Sequence, residues 1–483
     1  MTLARFFEAP EGRWTLASEF AAEDAANQLQ PHIARDVSGD DLCAGASGAE
    51  AHHTPSSPAP MRMGAAGTAM VTGGFMFGDA RPATAFPSST TPAATAPPKS
   101  SVQNNRPTGL SVVRTGAGDM LLRGAADGLS ETAGKSVVTK SSSSFVGRLV
   151  ASDSLARWAL SPTPTLLFTA PRALIWTIAS SLSVYTLLRL DLLTSTPLCH
   201  DTRCVSAGHV DVVAGFMRGH MLLYDAPGAR YSRINKAGKW RADVRCVAWV
   251  PGKEWFVAGG SDGWLVLVDR EVEEFSAPGD AKGGSNPVAC WRLSRHALTS
   301  VSFAPQGTVA AVTSDDGNVY LVDIAQPSGS DTPPFASSYF GALTCCAWSP
   351  DGTLLVCGGK DDLLSVWSSQ GSLVARCHGH GSWVRKVVFD EYSAGDGEAL
   401  GWRFVSVGDD GRVCLWELSL AALHRPRVGR AQVPVLLPLG AAVVHEAPVT
   451  ALAVARDALV TACRRGIVRV WRRPEPQEDA EYV

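Results

Sequence analysis

An all-β fold, a seven-bladed β-propeller preceded by a largely disordered N-terminal region, is predicted by three observations. From Phe145 onward the chain is built of short β-branched and aromatic runs with no sustained 3.6-residue period. A turn followed by a strand recurs at intervals of about 44–55 residues. The 46 glycines and 30 prolines favour turns over long helices. Length alone, at 483 residues, allows two to four domains. The recurrence reduces these to one ring over residues 145–473, between an N-terminal region 1–144 and an acidic C-terminal tail 474–483.

Residues from about Ala21 to Ser144 are dominated by Ala, Gly, Ser, Thr and Pro, as in Phe86–Pro98. Little apolar surface there offsets backbone ordering entropy, so most of this region is expected to be disordered. Gly12–Leu16 and Leu110–Leu122 are more apolar and are candidate edge strands. The stretch Ala173–Leu188 is uncharged but too short to span a bilayer as a helix, and its Ser, Thr, Trp and Tyr content reads as strands. With Thr165–Ile178 it supplies a first blade. Six further units then align on their turns: Val213–Asp225, Ala258–Asp269, Val312–Asp323, Cys357–Ser368, Val405–Glu417 and Val460–Trp471. Upstream strands precede most of them, at Val244–Trp249, Leu298–Phe303, Leu343–Trp348, Val384–Phe389 and Val449–Val454. Hairpin turns such as Ser349-Pro-Asp-Gly352 and Asp-Gly turns join the strands. This spacing and pattern are those of WD40 repeats, whose four-stranded blades bury both faces when arranged radially.

One unit carries the full polar set of such a repeat. His380 after Gly379, Ser406, Asp410 and Trp416 stand at spacings that let imidazole, hydroxyl, carboxylate and indole join in one hydrogen-bonded chain. In the unit before it, Asp361 and Trp367 are present but Cys357 replaces the hydroxyl, so that network is expected to be incomplete.

No constellation supports catalysis. Gly259-Gly-Ser-Asp-Gly263 matches the nucleophile-elbow pattern but leads into a strand, where that motif needs a helix. Leu129–Ser136 ends like a phosphate-binding loop but lacks its first glycine. Cys377-His-Gly-His380 offers two ligand types for zinc without a second cluster to complete four ligands. The pairs Asp315-Asp316 and Asp409-Asp410 fall on turns, where Asp is expected for structural reasons. No cofactor, metal or catalytic residue is therefore expected. The net charge of −3 gives no basic footprint for nucleic acid, and no membrane partner is expected. Eleven scattered cysteines without a C-x-x-C pair read as reduced core residues of an intracellular protein, cytoplasmic with the nucleus as a second compartment.

Residues just before each unit's first strand fall on one rim of a propeller and are candidate partner contacts: Trp240, Arg241, Arg295, His296, Tyr339, Phe340 and Trp383. Aromatic and arginine side chains are the usual interface anchors. Packing within their own blades is the alternative for Phe340 and Trp383.

Three stretches go beyond a generic repeat: Tyr231–Gly238, Ser338–Gly352 with Gly358–Trp367, and Val374–Trp383 with Val384–Asp390. Together they resemble the family of WD-repeat protein 20 and the fungal catabolite-repression protein CreC, over about Phe145 to Arg473, and Pro10–Leu16 is similar to that family's N-terminal edge. The Ser368–Ser372 link is shortened, Gly395–Gly401 is an insertion, and the N-terminal half of the first blade matches weakly. The resemblance implies a non-catalytic cofactor that docks on a ubiquitin-specific protease and raises its activity, with further WD-repeat proteins as additional partners. It places Phe340 and Trp383 in the best-matching motifs. A substrate receptor of a cullin-type ubiquitin ligase is the alternative, although the W-D-x-R signature is absent from Trp416-Glu-Leu-Ser and Trp471-Arg-Arg-Pro.

Overall fold

The computed structural model describes residues 3–21, 110–113, 136–140, 145–152, 165–170, 172–178, 186–193, 195–206, 209–226, 230–280, 283–326, 332–392, 401–418 and 432–474. Their strands form seven sheets, the blades of a propeller. Blades two, three and four follow the chain in order, as Pro197–Ser206 to Arg230–Ile234, Val244–Trp249 to Ala289–Arg292, and Leu298–Phe303 to Ala336–Ser337. Blade five runs from Leu343–Trp348 to Leu373–His378 and gains Val435–Leu436 as a parallel fifth strand. Blade six comprises Val384–Phe389, Trp402–Gly408, Arg412–Leu418 and Gly440–Val443.

Blades one and seven correct the expected boundary at residue 145. Blade seven holds Val449–Val454, Ala458–Cys463 and Ile467–Arg472, and its two outer strands are Gly12–Ala21 and Phe6–Ala9 from the other end of the chain. Blade one begins with Leu110–Val113, continues through Thr165–Ala170, Ala173–Ile178, Thr186–Leu192 and Val146–Ser152, and ends at Ser136–Lys140. The physical reason lies in the open edge that Ile467–Arg472 would otherwise present. Trp14 stacks on Phe7 at 5.9 Å, Phe7 meets Trp471 at 5.4 Å, and Trp471 is fully buried beneath them. The rest of the expected disorder over 1–144, the Leu129–Lys135 part of the loop-like motif and the tail beyond Pro474 lie outside the described residues.

Strand alternation explains why the blades form a ring. Successive side chains point to opposite faces, so each blade feeds two seams. In Leu354–Gly359, Leu354 and Val356 join the cluster shared with blade six, whereas Leu355 and Cys357 join the one shared with blade four. In Ala458–Cys463, Leu459 faces blade six, and Ala458, Val460 and Ala462 pack with Leu166 of blade one. Every seam among the described residues has such a cluster, the last closing blade seven on blade one. Side-chain hydroxyls stitch neighbouring inner strands: Thr299 donates to the Leu343 carbonyl at 2.9 Å, and Thr344 to the Val384 carbonyl. No helix among the described residues is long and apolar enough to cross a membrane.

Candidate functional site

The loops before the first strands and the Asp-Gly turns meet on one rim, because each turn packs on the loop leading into the next blade. A Cβ on Gly263 (φ +82°) would lie 2.0 Å from the Ser294 carbonyl oxygen, and one on Gly411 (φ +74°) 2.1 Å from that of His445. Only glycine tolerates both the left-handed backbone and that approach.

Beneath this rim runs the polar network. In blade six, His380 Nε2 lies 2.7 Å from Ser406 Oγ, its Nδ1 3.1 Å from Asp410, and Trp416 Nε1 donates to Ser406 Oγ at 2.8 Å. Burial raises the Asp410 pKa, but the hydrogen bonds and charge of His380 and the amides of Gly381 and Arg412 outweigh it and hold it below the ordinary carboxylate range. Both imidazole nitrogens of His380 are thus engaged within the blade's structural network. Blade seven carries a version that the sequence reading missed: His445 Nε2 lies 2.9 Å from Thr461 Oγ1, which accepts Trp471 Nε1 at 3.1 Å. The signal was present, because His445 precedes Val449 as His380 precedes Val384, and Thr461 and Trp471 are spaced as Ser406 and Trp416 are. Arg465 stands where the aspartate would, which hid the pattern.

The same register corrects the reading of Trp240. It is 3% exposed and donates its indole N–H to Asp262 at 2.9 Å, so it fills the histidine's place in blade three and offers no surface. In blade four that place belongs to Ser294, whose hydroxyl donates to Asp316 at 2.6 Å alongside the Tyr320 hydroxyl at 2.8 Å. In blade five it belongs to Tyr339, half-buried, with Arg376 stacked 4.6 Å from its ring centre. Asp361 there accepts backbone amides such as that of Phe340, and burial pushes its pKa up.

Phe340 and Trp383 remain at the surface, 75% and 41% exposed, on the loops before blades five and six. Three cations flank the aromatic group. Lys360 Nζ is 5.2 Å and Arg385 Cζ 5.3 Å from the Trp383 ring centre, with Arg376 on Tyr339. Carboxylates hold two of them in place: Lys360 pairs with Asp315 at 3.1 Å, and Arg385 with Asp409 at 2.6 Å. Tyr339, Phe340, Lys360, Trp383 and Arg385 therefore form an apolar, cation-edged patch across two blades. Arg241, Arg295 and His296 are exposed on blades three and four.

The other motifs resolve structurally. Ser261 of the elbow-like sequence accepts the Asp243 amide at 3.0 Å within a turn that leads into the strand Trp264–Asp269. Cys246, Cys345, Cys346, Cys357, Cys377, Cys414 and Cys463 are buried. Burial raises the thiol pKa of Cys246, Cys346 and Cys414 to about 12, so these sulfurs pack as thiols and not as nucleophiles. His209, Asp211 and Asp225 offer ligand atoms within 4.8 Å of one another, but Asp211 is held by Arg203 and Arg270, and His209 by Asp225 at 2.9 Å.

Residues 236–269, 287–323, 336–368 and 371–417 match the family model for the WD domain, G-beta repeat. A chain in a crystal structure of the mitotic checkpoint complex superposes with a TM-score of 0.50, covering 64% of this chain and 88% of that one at 16% identity, a likeness of fold alone. The fold is that of a WD40 propeller, and four stretches of the chain are similar to WD domains. The chain is 30% identical over 368 residues to UBP9-binding protein bun62 of Schizosaccharomyces pombe, a match spanning 60% of this chain and 66% of bun62, just under two thirds of that relative's length.

Proposed function

We propose that this protein is a non-catalytic WD40 scaffold that binds a ubiquitin-specific protease through the rim bearing Phe340 and Trp383 and raises its activity. The observation that carries the reading is the exposure of these two aromatic side chains on adjacent blades, within motifs of the resembled family. The name of bun62 as a UBP9-binding protein supports the class of partner. Large aromatic side chains left in water on a rigid rim cost little entropy to immobilise and bury extensive area on docking. Activation then requires that the protein bind the protease's active conformer more tightly than its inactive one.

The test is capture of ubiquitin-specific proteases from lysate by the tagged full chain, followed by hydrolysis of a fluorogenic ubiquitin substrate by the captured enzyme with and without this protein. Phe340→Ala with Trp383→Ala is expected to weaken capture by about 2–4 kcal/mol, more than thirtyfold, with the fold intact by circular dichroism. Undiminished capture by the double variant would remove the site assignment. A protease that is captured but not accelerated would remove activation and leave binding.

A further inference from the structure

We infer that blade four presents a basic cleft that takes an acidic, extended segment of the protein partner, beside the aromatic patch. Its lining is Arg292, Leu293, Ser294, Arg295, His296, Asp316 and Tyr320, around an open volume of about 750 Å³. Arg292, Arg295 and His296 are exposed on its rim, while Ser294 and Tyr320 are buried in its floor. The inference extends the docking reading above and rests on it for the identity of the partner, not for the chemistry of the cleft.

Unpaired charge is concentrated in this cleft, where two guanidiniums lie three residues apart. On blades five to seven three rim cations have carboxylate partners, Lys360 with Asp315, Arg385 with Asp409, and Arg465 with Glu446 at 2.9 Å, while Arg376 lies on the Tyr339 ring. Among the described residues, Arg292 and Arg295 have no carboxylate partner, and Arg292 has only the Trp264 ring, 5.8 Å from its guanidinium. Asp316 is the one carboxylate in the wall, and it is spoken for. Its Oδ2 accepts the Ser294 and Tyr320 hydroxyls and its Oδ1 the Asn318 amide at 2.9 Å. Burial raises the Asp316 pKa, yet these donors outweigh it and keep the group ionised, as a fixed part of the floor. Two guanidiniums thus face solvent without compensation beside the exposed His296 ring, and guanidinium forks suit carboxylates.

Position ties the cleft to the aromatic patch. A Cβ on Gly317, next to Asp316, would lie 2.5 Å from the Gly341 carbonyl oxygen and 2.8 Å from Ser338 Oγ, so the loop carrying Tyr339 and Phe340 abuts the cleft. A partner seated on Phe340 therefore has a flank facing Arg292 and Arg295. An acidic peptide is favoured over nucleic acid because the whole chain carries a net charge of −3 and, among the described residues, the cleft groups two unpaired guanidiniums in one place without a stripe that could track a phosphate backbone.

The experiment is fluorescence anisotropy of a labelled octaglutamate peptide with the full-length protein, at low and at physiological salt, with oligothymidylate as comparator. Arg292→Glu with Arg295→Glu is expected to lower peptide affinity by about tenfold or more, and salt to weaken the wild-type complex. Phe340→Ala with Trp383→Ala should leave peptide binding unchanged. Equal peptide affinity of wild type and the charge-reversed variant, no peptide binding by the wild type, or tighter binding of oligothymidylate than of peptide would each overturn the inference. Failure of the docking reading shows up separately, as loss of protease capture by the wild type while peptide binding persists.

Discussion

At the residue scale, one structural position before the first strand distinguishes blades three to seven. His380 and His445 fill it with imidazole, Trp240 with indole, Ser294 with a hydroxyl and Tyr339 with a phenol whose ring carries Arg376. The position looked like a row of surface anchors in the sequence, since Trp240 and Tyr339 sit where loops are expected. Whether a side chain there turns inward depends on the polar partner the blade offers, an aspartate of the following turn for Trp240 and Ser294 and the Thr461 hydroxyl for His445, which only the fold brings alongside. The buried histidines also set a pH dependence. Burial, followed by the charge of Arg469, lowers the His445 pKa to about 3, and burial, followed by the charge of Lys386, lowers that of His200 to about 4. A group whose folded pKa lies below its unfolded value binds protons preferentially when unfolded. The neutral imidazoles therefore contribute fully above about pH 6.5, and each loses about 1.4 kcal/mol per unit as pH falls below that value towards the folded pKa. Urea midpoints measured from pH 7.5 to 5 should fall, and His445→Gln, which retains a partner for Thr461, should flatten that slope by close to one proton. An unchanged slope in the variant would show that His445 does not carry the effect.

At the scale of elements, the closing strand from the N-terminus is the most exposed to test. Gly12–Ala21 covers the edge of Ile467–Arg472, with Trp14 1% and Phe7 5% exposed. Arg469 binds Glu19, and Arg403 of blade six binds Glu11 at 3.0 Å, so the strand is tied to two blades. Trp14→Ala is expected to cost about 3–5 kcal/mol in chemical denaturation. Removal of residues 1–21 should expose Trp471 and abolish a single cooperative transition, and a deletion variant as stable as the whole chain would contradict this closure. The apolar alternation of Gly12–Leu16 marked a strand in the sequence. Its partner, more than 400 residues away, was not legible, because an edge strand's pairing is set by which blade lacks a cover and not by local pattern. Ser136–Lys140 was missed for a similar reason: five residues with a single Val pair carry too little periodicity to stand out from a Ser-rich context.

At the scale of the whole molecule, stability is distributed over seams of unequal quality. Those between blades one and two and between blades five and six hold Phe, Trp and Leu, as in Phe145, Trp176 and Phe216, or Phe389, Phe404 and Trp416. The seam between blades seven and one consists, among the described residues, of Leu166 with alanines and valines. Small side chains bury less apolar area, so this seam should open first. Native-state hydrogen exchange is expected to show lower protection in Val449–Val454 and Thr165–Ala170 than in Leu343–Trp348 and Val384–Phe389; the reverse order would place the weak seam elsewhere. The recurrence of turns and alternating strands by itself determined that this chain forms a WD40 propeller, because period and alternation are local properties that dictate blades buried on both faces. Only the tertiary structure decided that residues 6–21 close the last blade, that Trp240 is core while Phe340 and Trp383 are surface, and that Arg292 and Arg295 stand without partners. Each of these depends on which side chains from distant repeats meet at a seam or on a rim, and no stretch of sequence contains that information.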